Sequence, residues 1–255
     1  MLNKAASPLL LALLLTGALG CESLALHDAR LKDNPEAYLS FLKEYPDTAE
    51  RAALMARIDE LHFQTAVELG TADAFREYLQ QHPTGNKASE ARVAADQAAF
   101  SEAATAGTAQ ALQNYLEQHP QGSATKQASD LLDRILYRDR VSIAELRVEQ
   151  INLGGKQDGP LDGWAVLANV INEGRRTLSL IELKIDLLND TGEALGPDHT
   201  WWAVAPDLGA FPTPETMKPP LAPGSSRAFR WTTDALPEGW GKKAALRVSE
   251  VRFEY

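Results

Sequence analysis

A single thiol, two histidines 37 residues apart and two adjacent tryptophans are the side chains of this 255-residue chain best suited to chemistry. Cys21, the only cysteine, can accept an acyl group or stay a free thiol, but it cannot form a disulfide within the chain. His82 and His119, each followed by proline, have the recurrence expected of a metal or proton-transfer pair. Their positions favour a structural role, because a histidine ending a helix can bond the last carbonyls and an earlier copy carries Tyr45 there. Asp158 with Asp162, and Asp198 with His199, come closest to acid–base or metal pairs, and both lie in turn-like contexts where solvated charge is ordinary. Gly154-Gly155-Lys156 lacks the upstream glycine of a phosphate loop, and the motifs of serine hydrolases, zinc peptidases and calcium loops are missing. The sequence therefore assigns no catalytic residue and no metal ligand, and it implies no small-molecule cofactor.

The first 20 residues read as a secretion signal: Lys4 supplies the positive start, Leu9 to Leu15 the apolar run, and Gly17, Ala18 and Gly20 the small residues of a cleavage site. The run is far shorter than the roughly 20 apolar residues that span a bilayer. The segment Leu15-Thr16-Gly17-Ala18-Leu19-Gly20-Cys21 resembles the lipobox of bacterial lipoproteins, although the usual leucine three places before the cysteine is Ala18 here. That resemblance implies acylation of Cys21 and membrane lipid as a partner, and since only Glu22 and Ser23 separate Cys21 from the first expected helix, the tether is short, over 21–23. Glu22 follows the cysteine where an aspartate marks inner-membrane retention in enteric-type lipoproteins, which favours the periplasmic face of the outer membrane.

Beyond the tether the chain repeats itself. Phe63 and Phe100, Gly70 and Gly107, Thr71 and Thr108, Tyr78 and Tyr115, His82-Pro83 and His119-Pro120, and Gly85 and Gly122 all stand 37 apart. A more divergent copy precedes them, with Asn34, Ala37, Phe41, Leu42 and Tyr45-Pro46 on the same ruler. The glycines suit left-handed helix ends, Asn34, Thr71 and Thr108 suit N-caps, and the Tyr-Pro and His-Pro steps stop short helices. This spacing predicts helices over about 24–33, 35–44, 48–69, 72–81, 87–106, 109–118 and 124–137, short and long alternating into an α-solenoid across 24–138. The aromatics at 41, 78 and 115 are expected to fill the groove between neighbours. The pattern resembles tetratricopeptide-type repeats, with a period of 37 in place of about 34 and without the usual Trp and Leu-Gly of the first helix.

After Arg140, alanine-rich helical spacing gives way to alternation. Trp164, Val166, Ala168 and Val170 share one strand face, and Ile181, Leu183, Ile185 and Leu187 share another. The phrases Leu146-Arg147-Val148-x2-Ile151 and Leu246-Arg247-Val248-x2-Val251 each skip a residue, which predicts either matched bulges or a switch of sheet. Val170-x-Asn172-x-Gly174, Asp190-x-Gly192 and Leu221-x-Pro223-Gly224 resemble the punctuation of immunoglobulin-like accessory domains of the FxLYD type, which implies an antiparallel β-sandwich over 141–255. Trp201 and Trp202 should point to opposite faces of their strand, so a core takes one, and the other is either covered by the proline-rich stretch 197–223 or exposed as a candidate partner contact.

The expected fold is thus α then β, a helical-repeat solenoid followed by a sandwich. One of the 25 basic residues lies in 1–20, leaving 24 against 35 acidic residues, a formal charge of −11 that repels nucleic acid. Repeats of this kind bind proteins, so the expected role is an envelope protein-interaction scaffold that is not an enzyme. An envelope hydrolase or glycan-binding protein working through the sandwich is the alternative.

Overall fold

The computed structural model describes residues 8–154, 159, 161–206 and 213–254. Helices occupy the N-terminal part and antiparallel sheets the C-terminal part. The helices are α1 (Pro8–Lys32), α2 (Pro35–Glu44), α3 (Arg51–Leu69), α4 (Ala72–Gln81), α5 (Ala88–Ala106), α6 (Ala109–Gln118) and α7 (Thr125–Tyr137). A 3-10 turn, Arg138–Arg140, leads into strands β1 (Val141–Ile151), β2 (Gly163–Asn172), β3 (Leu178–Leu188), β4 (His199–Val204), β5 (Ser226–Thr233) and β6 (Lys243–Phe253). The backbone packs as two compact units, residues 1–105 with 119–125 and residues 106–118 with 126–255.

Helix ends follow the repeat. Asn34 accepts the Ala37 amide at 2.8 Å, and Thr71 and Thr108 accept the Ala74 and Ala111 amides at 3.2 Å each. Each cap satisfies a first-turn donor that has no partner within its helix. Gly70 and Gly107 close their helices in the left-handed region, at φ 64° and 60°. In the earliest copy the same register position is Asp33, held at φ 41°. Its carboxylate compensates for the strain of a side chain there by accepting Arg57 twice, at 3.0 and 2.6 Å, and the Tyr38 hydroxyl at 2.6 Å. These bonds hold its carboxyl at about 2, below the ordinary 3.8.

In the first unit two clusters of buried side chains share α3. Ala29, Tyr38, Phe41, Leu42, Leu54 and Ile58 join α1, α2 and α3, while Phe63, Ala66, Phe75, Tyr78, Ala91 and Ala95 join α3, α4 and α5. The small alanines let α5 approach, and Phe41, Tyr78 and Tyr115 are all buried, as their spacing predicts. One boundary differs. Helix α1 runs through Cys21, Glu22 and Ser23, which the sequence reading assigns to a tether. No proline or glycine falls between Cys21 and Lys32, so nothing in the sequence delays the helix to residue 24.

In the second unit one sheet has the order β1-β2-β5 and the other β4-β3-β6. Both feed one core: Val166, Ala168, Val170 and Phe229 come from the first sheet, and Ile181, Leu183, Ile185 and Val251 from the second. The expected pair of bulges resolves unevenly. Ser249 of β6 is skipped in the pairing with β3, as the phrase predicts, whereas β1 pairs regularly from Arg147 to Ile151 and is irregular earlier, at Glu145, where φ is 55°.

A latch of hydrogen bonds fastens α7 to the sheets. Asn172, fully buried at the end of β2, donates through Nδ2 to the carbonyls of Arg176 (2.8 Å) and Leu221 (3.0 Å), and its Oδ1 accepts the Gly174 amide (3.1 Å). The Tyr137 hydroxyl of α7 lies 3.1 Å from that Oδ1 and accepts the Arg176 amide at 2.8 Å. The Tyr137 ring meets Phe253 edge-on at 5.0 Å. Glycine is required at 174 because a Cβ there would fall on the Tyr137 ring.

Candidate functional site

Polar side chains gather where α3 faces the end of α4. Asp59 is buried in α3, and its Oδ1 accepts the Tyr78 hydroxyl at 2.5 Å while Oδ2 accepts the Asn86 amide at 2.7 Å. His82, at the C-cap of α4, sets its Nδ1 3.6 Å from Asp59 Oδ1, a charge-pair separation and too long for a hydrogen bond. Its other nitrogen, Nε2, lies 2.7 Å from Nδ1 of His62. A chain of four side chains, Tyr78–Asp59–His82–His62, therefore runs outward from the core. Burial and the Asp59 carboxylate raise the Tyr78 hydroxyl well above its ordinary range, so that it stays a donor. Gly85 closes the arrangement: a Cβ there would stand 2.5 Å from Asp59 Oδ1 and 2.9 Å from the Tyr78 oxygen.

The next copy repeats the theme. Asp96 of α5, 37 residues after Asp59, accepts the Ser123 amide and hydroxyl at 2.7 Å each, and His119 Nδ1 stands 3.2 Å from it. Each aspartate thus clamps the loop that follows the next short helix. Both histidines face these acids, contacts that the sequence reading did not foresee. The aspartates are sites the sequence reading missed, although their spacing of 37 was there to be found.

A cleft of 380 Å³ opens beside His62, where two copies of the repeat meet. Pro35 and Glu36 of α2 form one wall, Glu77 and Gln81 of α4 the other, and Ala66, Leu69 and Tyr78 the apolar floor. Among the described residues neither Glu36 nor Glu77 forms an ion pair. Burial lowers the affinity of His62 for a proton, and the neighbouring His82 lowers it further, while Glu36, Asp59 and Glu77 act in the opposite sense. In the folded state His62 therefore titrates below its ordinary 6.5. Protons then bind the unfolded chain more readily than the folded one, so stability falls as the pH drops from 6.5 toward the folded value. Doubly protonated rings would also set two N–H groups head to head across 2.7 Å. Urea melts of the helical signal should show stability steady above that point and declining beneath it in the wild type, with the decline reduced in His62→Gln.

In the sheet unit, Asp198 and His199 are not a pair. Asp198 bonds Lys184 at 2.7 Å and Arg247 at 3.1 Å, and the Lys184 bond leads in holding its carboxyl below the usual range. His199 instead lies against Trp231, 4.8 Å between centroids with the rings tilted by 36°. A carboxylate so held is a poor general acid. Trp201 and Trp202 pair with Leu183 and Glu182 of β3 on an edge strand, both half-buried. Trp201 packs on the core, and the two rings sit 5.5 Å apart at a tilt of 42°, closer than ideal alternation would place them. Asp158 lies outside the described residues, and Asp162 Oδ1 accepts the Leu153 amide at 2.7 Å, a turn contact. Cys21 is exposed on α1. Among the described residues no helix is long and apolar enough to cross a membrane, and no group of three or more metal-ligating side chains forms.

Neither a protein-family model nor a curated protein matches the sequence. Solved structures give distant likenesses. A structural-genomics consortium target is 12% identical with a TM-score of 0.24, over 45% of this chain and 86% of its own. The Pseudomonas fluorescens alkylpurine DNA glycosylase AlkC, bound to DNA containing an abasic site analogue, is 12% identical with a TM-score of 0.30, over 86% and 73%. Likenesses this slight carry no argument about fold or activity, so the functional reading rests on the chain's own residues.

Proposed function

We propose that this chain is a lipoprotein of the bacterial envelope, anchored through acylated Cys21, whose helical part is a protein-interaction scaffold. The helices are read as a tetratricopeptide-like solenoid and the two sheets as an immunoglobulin-like sandwich that spaces the scaffold or adds a second contact. The observation that carries the reading is the cleft between α2 and α4, built by two successive copies of the repeat, with an apolar floor and carboxylates on both walls. Such a surface suits a peptide segment that presents an aliphatic stem with a basic head, which can cover the floor while its charge lies between Glu36 and Glu77.

Anchoring fits the same picture. With α1 already helical at Cys21, lipid on that residue would set the scaffold directly at the bilayer surface, which favours partners that are membrane-embedded or delivered to the membrane. Glu22 after the cysteine favours the outer membrane. Cys21→Ala should move the protein from the carbonate-washed membrane fraction to the soluble fraction and abolish acyl labelling. Retention of the variant in membranes, together with an unlabelled wild type, would remove the anchor from the account.

A further inference from the structure

We infer that the second unit binds a compact phosphate group at the junction of the 3-10 turn with the turn that follows β2. The chain carries a formal charge of −10, yet a cleft of 380 Å³ there is lined by Arg140, Arg175 and Arg176, with Glu173 the one acid on its wall. Among the described residues the side chains of Arg140 and Arg175 form no ion pair, and both residues are exposed. Arg176 lies 3.3 Å from the centroid of the Phe253 ring, with Asp133 at 3.8 Å as a weak counter-charge. The stacked ring orients its guanidinium without neutralising it.

The platform beneath these arginines is rigid. Asn172 and Tyr137 hold the main chain of Gly174 and Arg176, and the Glu173 amide donates to the Arg140 carbonyl at 2.8 Å, tying the two turns together. Three guanidinium groups on a fixed backbone offer planar forks of donors, which bind a phosphate in paired hydrogen bonds at little ordering cost. Cleft size and the acidic remainder of the chain favour a single phosphate over a polyanion, since the surrounding field repels extended negative charge. The group can come from an anionic lipid headgroup or from a free phosphate. This inference does not depend on the helical cleft, and either can fail alone.

The test uses the full chain in zwitterionic detergent micelles, with the arginine Nε–H resonances followed by NMR during two titrations: inorganic phosphate, and phosphatidylglycerol doped into the micelle. Saturable shifts at Arg140, Arg175 and Arg176 are expected with at least one probe, and the affinity read at Arg176 should weaken tenfold or more in Arg140→Ala/Arg175→Ala and fall with added salt. Those two residues are exposed, so the variant should keep the wild-type circular dichroism and melting curve. A response to phosphatidylglycerol alone assigns a lipid source, and a response to inorganic phosphate assigns a free one. Absence of saturable shifts with both probes, or equal shifts in the double variant, overturns the site.

Discussion

Replacing Asn172 by alanine should destabilise the sheet unit by about 3 kcal/mol, the upper range for a single buried polar contact set. The amide is fully buried and makes its bonds to three segments: the Gly174–Arg176 turn, the Leu221 bridge between β4 and β5, and Tyr137 of α7. Removing it leaves the Gly174 amide without its acceptor, while the Arg176 carbonyl keeps the Tyr137 hydroxyl at 3.0 Å and Leu221 keeps the Leu178 amide at 3.0 Å. Asn172→Asp should cost at least as much, because a buried carboxylate would face two carbonyl oxygens where the amide nitrogen now donates. All five tryptophans lie at or beyond Trp164, so the fluorescence transition in a denaturant melt reports this unit selectively. An Asn172→Ala transition that coincides with the wild type would show that the latch contributes nothing.

The comparable expectation for the helices is that Asp59→Ala costs about 2 to 4 kcal/mol, read in the far-UV helical signal. The substitution strands a hydroxyl on Tyr78, a residue 2% exposed, and leaves the Asn86 amide without its acceptor. Asp59→Asn should cost less, since the amide oxygen still accepts one of these two donors. Asp96→Ala should act in the same direction with a smaller magnitude, because the Asp96 side chain is 13% exposed against 8% for Asp59 and water can reach its partners. Equal melts for Asp59→Ala and wild type would contradict the view that these acids fasten successive copies of the repeat.

Much of this was legible because one ruler of 37 residues sets both the caps and the buried aromatics. Asn34, Thr71 and Thr108 accept the first-turn amides of the short helices, and Gly70 and Gly107 take the left-handed conformation that ends the long helices before two of them. Asp59 and Asp96 obey the same ruler, but they went unread because a buried acid in a long helix breaks the expectation of an apolar face. Spacing could have found them. His62 could not be found that way: the equivalent position is Ala99, and its partner His82 lies 20 residues on at the C-cap of another helix. In the sheets, alternation exposed the core face of β3 and the bulge of β6. It did not give the bulge of β1, an edge strand whose pairing with β2 alone leaves its register to a local backbone choice at Glu145. Arg140 and Arg175 lie far apart in sequence, and only the Glu173–Arg140 bond brings their turns together.

A truncation at residue 141 is a poor way to ask which part binds. Tyr137, on the helical side of that cut, shares hydrogen bonds with Asn172 and Arg176 and a ring contact with Phe253. Substitutions in the intact chain avoid this. The most direct measurement is photo-crosslinking in intact cells, with the crosslinking residue placed either at Gln81, on the wall of the helical cleft, or at Trp202, on the edge strand of the sheets. The scaffold reading predicts a discrete protein adduct from position 81 that disappears when Glu36→Lys and Glu77→Lys are combined, with position 202 giving a weaker adduct or none. An adduct from position 202 that survives the charge reversal, with none from position 81, would contradict it and place recognition on the sheets.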